Sequence, residues 1–340
     1  MKRKMKKIII HSLAVLLMTA AAVSCSKEVT PEPDGAIRLD PKVGEGYNDT
    51  KASIFSDAEL PETETFYVDA FLSDQSTVKP YFSSAAAHLY IYNDQDQIDE
   101  WRFCDLSSDS PAWKNYYFPL EGTVDFFAYV PQGYVIVSKT TNPPTFSAEL
   151  PDLSDQTDEV KEFMYAYTPA MSKESPTVPL AFEHPFAAVR FEVGQAHRNL
   201  TIRTMGFKNI NHKGSCAIEY DEESDRYLPK WSNTTTGDMT ITVNKIIPGD
   251  INFGGPVGET YIVMPQNLDA VKFVINYSWN NNDDDNSNDE YNIEVGLGGS
   301  WTAGKIYTYS LDLGNSAEEI LFNVDVEQWV HTYDYTFELK

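Results

Sequence analysis

The sequence predicts an all-β fold, and three observations support this prediction. Residues 187–193 alternate strictly, with Ala187, Val189 and Phe191 on one face. Strict alternation is typical of a strand that has one face on a core and the other in water. Further apolar runs are separated by turn residues at intervals of about 8–15 residues, a spacing typical of β-sandwiches. In the first half of the chain only 152–167 has apolar residues at helical spacing, and we expect a helical turn there.

The individual strands are predicted from short apolar runs bounded by Gly, Pro, Asn or Asp. Pro185 cannot donate to a strand ladder, so it marks the start or an edge of the strand that follows it. The predicted strands are 36–39, 66–72, 89–92, 101–103, 123–129, 180–193, 200–204, 216–220, 239–243, 261–264, 271–277, 291–297, 305–313, 320–328 and 332–339.

The length of 340 residues is enough for two domains of ordinary size. We assign residues 1–24 to a signal peptide and 25–35 to a polar, Pro-containing tether. Residues 36–178 then form an N-terminal β-sandwich, and residues 179–340 form a C-terminal β-sandwich.

The first 24 residues have the composition of a secretory signal. Five Lys or Arg side chains lie within the first seven positions, and a largely apolar run at 8–22 follows them. This run is too short to count as a membrane span. Small residues end directly before Cys25, a pattern that resembles a bacterial lipobox, in which the cysteine is acylated with palmitate-type chains. The alternative is an ordinary signal peptide with an unmodified Cys25.

The strongly acidic composition excludes some classes of partner. The full chain has a net charge of −25, with 26 basic and 51 acidic side chains. Removing residues 1–24 takes away five basic side chains and no acidic ones, which leaves a net charge of about −30. Nucleic acids and anionic membrane surfaces both require basic patches, so we expect neither as a partner. The charge suits a soluble, self-repelling extracellular surface.

The sequence shows no pattern typical of a catalytic or cofactor site. The histidines include no His-x-x-x-His pair, and no Gly-x-Ser-x-Gly elbow or Walker loop is present. We therefore predict no enzyme, no catalytic residue, no cofactor and no metal. Residues 283–294 come closest to a calcium loop, but Asn288 stands where the loop needs Gly, and we interpret the segment as a solvated hairpin tip. His184 is interpreted as a packed structural histidine.

Two further features have open interpretations. Cys104 and Cys216 remain after Cys25, and we expect two small buried thiols, although a bridge between them is the alternative. An aromatic cluster at 113–118 contains Trp113, Tyr116, Tyr117 and Phe118. Exposed aromatic rings stack on sugars or contact a protein partner, whereas buried rings would close a sandwich core.

Five motifs occur in order along the mature chain, and together they resemble the fimbrillin family of type V pilus subunits and accessory proteins. They are Phe-x-Ala-Tyr-x-Pro, Phe-x-His-x-x-Ala-x-Val, a strand ending in Met-Pro-Gln where the family has Leu-Pro-Gln, Trp-x-x-Gly-x-x-Tyr-x-Tyr, and Val-x-Val-x-x-Trp. Their positions are 126–131, 182–189, 261–266, 301–309 and 324–329.

The resemblance implies two transthyretin-like β-sandwich modules in tandem behind a lipidated tether. It implies a surface-exposed lipoprotein of the cell outer membrane that acts as a fimbrial subunit or as a tip or anchor adhesin. Its partners would be other pilus subunits, the outer membrane through the lipid, and a host or bacterial surface receptor. The alternative is a glycan-binding surface lipoprotein that uses exposed aromatic residues.

The two ends of the mature chain are the candidate assembly elements. Residues 331–340 alternate apolar and polar side chains, and a terminal strand of this kind can complete its own sheet or be donated to a neighbour. The predicted donor side chains are Tyr333, Tyr335, Phe337 and Leu339.

The resemblance also implies that a protease cuts after a basic residue and frees the N-terminal strand at 36–39, which leaves a groove for the donor. The candidate cleavage residues are Arg38, Lys42 and Lys51. If none is used, the protein would keep its lipid and act as an anchor.

Overall fold

The computed structural model describes residues 35–43, 60, 65–73, 77–91, 99–106, 112–156, 163–196, 199–249, 255–279, 290–313 and 320–328. Within these residues the chain forms β-strands and one 3-10 turn at Leu153–Asp155, which confirms the predicted all-β fold. No helix in the described ranges is long and apolar enough to cross a membrane.

The strands are numbered in chain order. The first ten are β1 (Arg38–Val43), β2 (Thr65–Leu72), β3 (Pro80–Tyr90), β4 (Glu100–Asp105), β5 (Ala112–Trp113), β6 (Val124–Val130), β7 (Val135–Ser138), β8 (Thr145–Glu149), β9 (Met164–Met171) and β10 (Thr177–Phe182). The others are β11 (Ala187–Ala196), β12 (Leu200–Asp221), β13 (Arg226–Ile247), β14 (Gly255–Pro256), β15 (Tyr261–Val263), β16 (Gln266–Asn267), β17 (Lys272–Trp279), β18 (Glu290–Gly296), β19 (Ser300–Trp301), β20 (Lys305–Leu313) and β21 (Ile320–Gln328).

The helical turn expected at 152–167 is wrong over most of the part that the structure describes. A 3-10 turn occupies Leu153–Asp155, and strand β9 begins at Met164. Tyr165 and Ala166 are as buried as Met164, because both faces of this strand are covered. A strand buried on both faces loses its apolar–polar alternation, so its apolar residues fell at helical spacing by coincidence.

The first sheet has the order β10-β1-β4-β3-β2-β6-β9, with β5 paired to β4. Its pairs are antiparallel except for β1 and β10, which run parallel. The sheet is curled, and its two end strands, β9 and β10, come together. Tyr165 of β9 and Glu183, directly after β10, exchange backbone N–H···O bonds of 3.1 and 2.8 Å. The curled sheet therefore encloses its own apolar core, which includes Phe66, Phe126 and Phe182.

The second and third sheets pack against each other across a larger core. The second sheet has the order β14-β11-β20-β21 with β15 on β11, and the third has the order β18-β17-β12-β8-β7 with β13 on β12. Phe191 of the second sheet lies 5.5 Å from Phe273 of the third, measured between ring centroids. Trp301 Nε1 donates to Tyr309 Oη at 2.8 Å within this core. A small pair, β16 with β19, completes the arrangement of described strands.

The chain passes from the first sheet to the second through Glu183–His184–Pro185–Phe186. Strand β10 ends at Phe182, and β11 begins at Ala187, directly after the segment that contains Pro185. Strands β7 and β8 precede this passage in sequence but pair within the third sheet. The division into modules at 36–178 and 179–340, and their transthyretin-like character, stay predictions.

The hairpin formed by β12 and β13 is the longest element that the structure describes, with 22 residues in each strand. Its base pairs with β17, and residues 213–216 of β12 pair with β8. Its far end contacts the first sheet, where Arg226 Nη2 lies 2.5 Å from Glu183 Oε1 and Tyr165 donates to the backbone oxygen of Tyr227 at 3.3 Å. This hairpin therefore connects the sandwich of the second and third sheets to the first sheet.

Candidate functional site

Strand β1 lies inside the first sheet and has one apolar and one polar face. Ile37 and Leu39 are each only 7% exposed, and Pro41 is also buried. Arg38 and Lys42 alternate with these residues and are exposed. The alternation predicted for 36–39 is thus present, and the strand runs on to Val43.

The backbone of β1 is bonded chiefly to one neighbour. All six of its residues are in parallel register with β10, from Arg38 beside Thr177 to Val43 beside Phe182. On the other side, β4 contributes a single pair between Leu39 and Trp101. The start of the strand is held by the segment after β5, where Ile37 N donates to the Tyr116 oxygen at 2.8 Å.

Removal of β1 would open a groove, which we call the β1 groove, between β10 and β4. Its apolar walls include Val178, Leu180 and Phe182 of β10, which share one core with Ile37 and Leu39. Phe66, with a ring centroid 5.2 Å from that of Phe182, also belongs to this core. An empty groove would present an unpaired strand edge and an apolar floor, which together bind an extended segment with apolar side chains at every second position.

Two of the three candidate cleavage residues, Arg38 and Lys42, lie within the described residues. Arg38 is an exposed residue of β1. Lys42 lies 3.7 Å from Asp40, and both side chains are about half exposed, so this ion pair contributes little stability. Lys51 lies outside the described residues, as do the predicted lipidation residue Cys25 and the predicted donor residues Tyr333, Tyr335, Phe337 and Leu339.

Strand β21 is the last described element before the predicted donor segment. It pairs antiparallel with β20 and is an end strand of the second sheet. Val324 and Val326 on this strand are large exposed apolar residues. The predicted donor segment at 331–340 therefore follows an end strand of the sheet.

The structure divides the aromatic cluster at 113–118. Phe118 is buried in the core of the first sheet, and Tyr116 packs against it with its ring centroid 4.3 Å from that of Phe82. Trp113 and Tyr117 point outward and are 37% and 40% exposed. Two rings of the cluster therefore close the core, and two lie at the surface.

The two described cysteines and His184 are all buried side chains. Cys104 and Cys216 are both free and buried, which confirms the expectation of two buried thiols. Burial raises the pKa of the Cys216 thiol. His184 is buried, as predicted for a packed histidine. The described residues contain no cluster of three or more metal-ligating side chains.

The segment that resembles a calcium loop, residues 283–294, ends within strand β18, and only its residues 290–294 are described by the structure. Glu294, its last position, forms an ion pair of 3.1 Å with Lys272 and also contacts Lys208. Hydrogen bonds from these two lysines lower the pKa of Glu294. This carboxylate is thus engaged in pairs across the third sheet.

Sequence reasoning missed the walls of the β1 groove. Of strand β10, only residues 180–182 were predicted, as the start of the strand at 180–193, and the alternation of Val178 with Leu180 and Phe182 was missed. The three prolines at 169–179 concealed this signal by suggesting a loop. The contact with Tyr116 carried no sequence signal, because it is a backbone bond between distant segments.

Comparison with known proteins gives independent information. A family model for fimbrillin-like proteins matches residues 91–329. No curated protein shows significant similarity to the chain. Among solved structures, a fimbrial protein from Bacteroides vulgatus is similar with 17% identity and a TM-score of 0.56, covering 87% of this chain and 99% of its own. A candidate cell adhesion protein from Bacteroides ovatus has 17% identity and a TM-score of 0.53, with coverages of 88% and 100%.

At these identities the two Bacteroides structures show a shared fold. The family match extends from the end of β3 through β21, so it includes most strands of the first sheet and all strands of the second and third. Because the matched residues make up more than half of the chain, the protein belongs to the fimbrillin-like family.

Proposed function

We propose that the protein is a cell-surface fimbrial subunit, or a tip or anchor adhesin, that assembles by β-strand donation and has no catalytic role. The observation that carries this proposal is strand β1, whose buried face completes the first sheet and whose other face exposes basic residues. Membership of the fimbrillin-like family supports the fimbrial role and a location at the cell surface. The partners are other pilus subunits and a surface receptor on a host or bacterial cell.

The position of the cut decides whether the groove opens. A cut after Arg38 would leave Leu39 and Pro41 in place, with most of the pairing to β10. A cut after Lys42 would release Ile37, Leu39 and Pro41, and a cut after Lys51 would release the whole strand. We therefore expect one of these two lysines to be the productive cleavage residue.

The donor in this scheme is residues 331–340 of the next subunit. Tyr333, Tyr335, Phe337 and Leu339 alternate with polar residues and match the alternation of Ile37, Leu39 and Pro41 that they would replace. The gain comes from backbone bonds to β10 and from burial of alternate side chains in the β1 groove.

The first experiment tests donation directly. Purified full-length protein is treated with a protease specific for lysine, and the new N-terminus is determined by mass spectrometry. A fluorescent peptide of residues 331–340 should bind after cleavage but not before. The control peptide carries Ser at 333, 335, 337 and 339 and should not bind.

Two results would contradict donation. One is equal binding of the peptide before and after cleavage, and the other is no binding to protein shown to lack residues through 42. A chain without 331–340 that forms oligomers as well as the full chain would also exclude this donor. Failure of that shortened chain to fold would instead indicate that the strand completes its own domain.

The second part of the proposal is the lipid anchor at Cys25, which would hold the protein on the outer membrane by acyl chains. A chain that escapes cleavage would keep this lipid and act as an anchor subunit. Cys25→Ala should lose acylation and should move from the detergent phase to the aqueous phase in partition experiments on labelled cells. Equal detergent partition of mutant and wild type would place the anchor elsewhere.

A second candidate function is glycan binding, favoured by the outward position of Trp113 and Tyr117. Exposed aromatic rings stack on sugar faces. Trp113→Ala should then abolish binding on a glycan array while the protein remains folded. Absence of any bound glycan for the wild type on a broad array would eliminate this candidate.

A further inference from the structure

Two buried aspartates lie on the outer face of the first sheet, opposite its enclosed core. Asp69 of β2 is fully buried, and Asp125 of β6 is 6% exposed. Asp69 lies opposite Phe127, and Phe71 lies opposite Asp125, so all four side chains share one face. Phe71 and Phe127 belong to the larger core, which places this face against the sandwich of the second and third sheets.

Asp69 is held by a bulge in its own sheet and by a lysine from elsewhere. The register between β2 and β3 shifts on either side of Ala70, and Ser84 adopts a positive φ of 51°. This bulge turns the Ser84 N–H onto Asp69 Oδ1 at 2.7 Å. Lys139 Nζ lies 2.7 Å from the same oxygen and also donates to Ser84 Oγ at 2.6 Å.

Asp125 has a comparable arrangement. Ser73 Oγ and Ala170 N, both from the first sheet or its turns, donate to Asp125 Oδ1 at 2.6 and 2.7 Å. Asn142 Nδ2 donates to Asp125 Oδ2 at 2.6 Å. Tyr167 then donates to Asn142 Oδ1 at 3.2 Å, which fixes the orientation of that amide.

Lys139 and Asn142 belong to one short segment, residues 139–144, which we call the clasp loop. The loop connects β7 to β8, and both strands pair within the third sheet. Two carboxylates buried in the first sheet thus receive donors from a loop of the third sheet. Burial of a carboxylate is costly unless it is paired and hydrogen-bonded, so withdrawal of the loop would leave Asp69 without the lysine described here.

We propose that the clasp loop locks the third sheet onto the first, so that the sheet with the β1 groove and the sandwich of the second and third sheets move as one body. The far end of the long hairpin provides a second fastening through Arg226 and Glu183. This coupling of the sheets does not depend on strand donation. The loop stays in place because its withdrawal would leave the buried Asp69 carboxylate without Lys139.

The test separates coupling from stability with two variants. Lys139→Met leaves a buried charge unpaired and should raise the unfolding equilibrium constant by about a hundredfold or more. Asp69→Asn combined with Lys139→Met removes that charge, while the Asn oxygen keeps the Ser84 N–H bond, so most of the stability should return. Both variants are made in a chain that also carries Asn142→Ala, which removes the bond to Asp125 Oδ2 and leaves those from Ser73 and Ala170, so neither variant keeps a bond from the clasp loop to the two aspartates.

Coupling is measured as a distance distribution between spin labels. Cysteines replace the exposed residues Leu120, beside the first sheet, and Ile246, at the end of β13, in a chain with Cys25→Ser. We expect a narrow distribution in the parent chain and a broad one in the double variant. Lys213→Met is the control, because it removes an exposed ion pair between Lys213 and Glu149 within the third sheet. This control should keep the narrow distribution.

The outcomes distinguish the clasp from a simple structural ion pair. A folded double variant with a distribution as narrow as that of the parent would overturn the proposal. Failure of the double variant to fold would also overturn it, because no unpaired charge would then be left to explain the failure. Broadening in the Lys213→Met control would show that the distance does not report on the clasp.

Discussion

At the scale of single residues, Gly206 shows how close packing of two backbones restricts a side chain. It lies in β12 opposite Thr240 of β13. A Cβ atom at this position would lie 2.7 Å from the Thr240 Cα and would also overlap the Met239 carbonyl oxygen. Backbone atoms cannot rotate away as a side chain can, so the two strands of the hairpin would have to separate.

Gly206→Ala should therefore lower the free energy of unfolding by about 1–3 kcal/mol, the range for overpacking of a core. Urea titration followed by tryptophan fluorescence measures this change. Gly296→Ala in β18 is the matched control, since no atom lies within 4 Å of its Cβ position. A Gly206→Ala chain as stable as the control would show that the strands separate there at little cost.

At the scale of elements, the sequence predicted most described strands but divided one of the two longest. Strand β12 was predicted as 200–204 and 216–220 with a gap between them, whereas it is continuous from Leu200 to Asp221. Its register with β13 shifts at four places between Ile202 and Ser215. Where the extra residue stands in β12, as between Phe207 and Ile210, the alternation of that strand reverses, so a continuous strand no longer shows a single period of two in its sequence.

Strands β20 and β21 were predicted with their observed bounds, 305–313 and 320–328. Both have regular pairing with no bulge between them. Most of β7 to β10 was missed or misread, because these strands are short, carry proline or have both faces buried. Local alternation thus identifies strands whose two faces meet different environments, and it fails where the environments are alike.

A prediction at this scale concerns Trp231 of β13, which holds the long hairpin against the segment at 183–186 that connects the first sheet to the second. Its Nε1 donates to the Pro185 oxygen at 2.8 Å, and its ring lies 5.1 Å from Phe186 and 5.6 Å from Phe146 between centroids. Trp231→Phe should cost about 1 kcal/mol for the lost hydrogen bond. Trp231→Ala should cost about 3 kcal/mol, because the ring contacts are lost as well.

Hydrogen exchange followed by mass spectrometry checks where the effect falls. Backbone amides of β13 around Trp231 should exchange faster in Trp231→Ala, while those at the base of the hairpin, opposite β17, should stay protected. The partly exposed Trp113→Phe serves as the control for loss of an indole. Uniformly faster exchange along the whole hairpin would contradict a local fastening role.

At the scale of the whole molecule, the sequence predicted the first strand but not its pairing. The alternation of Ile37 and Leu39 predicted the first strand, which the structure contains as β1. The pairing of β1 with β10 joins residues about 140 positions apart in the chain, as shown by Arg38 beside Thr177. No local pattern encodes a pairing of that range, so the β1 groove could be recognised only in the folded chain.

The larger core also gives the molecule a defined response to alkaline pH. Burial raises the pKa of Tyr277 and of Tyr309 to about 12, from the usual value near 10. A group whose pKa is raised in the folded state contributes its full stability below the unfolded pKa and loses it as pH rises to the folded pKa. Each of these tyrosines should thus cost about 1.4 kcal/mol of stability per pH unit between about 10 and 12.

We therefore expect unfolding on titration between pH 10 and 12, with tyrosinate absorbance at 295 nm appearing together with the loss of the far-ultraviolet β signal. Tyr309→Phe should lower stability at pH 7 slightly, because Trp301 loses its hydrogen-bond acceptor, and should shift the alkaline midpoint upward. Tyr81→Phe, which changes an exposed tyrosine, is the control and should leave the midpoint in place. Ionisation of all tyrosines near pH 10 in a chain that stays folded would contradict this account, because the two core tyrosines would then be open to water.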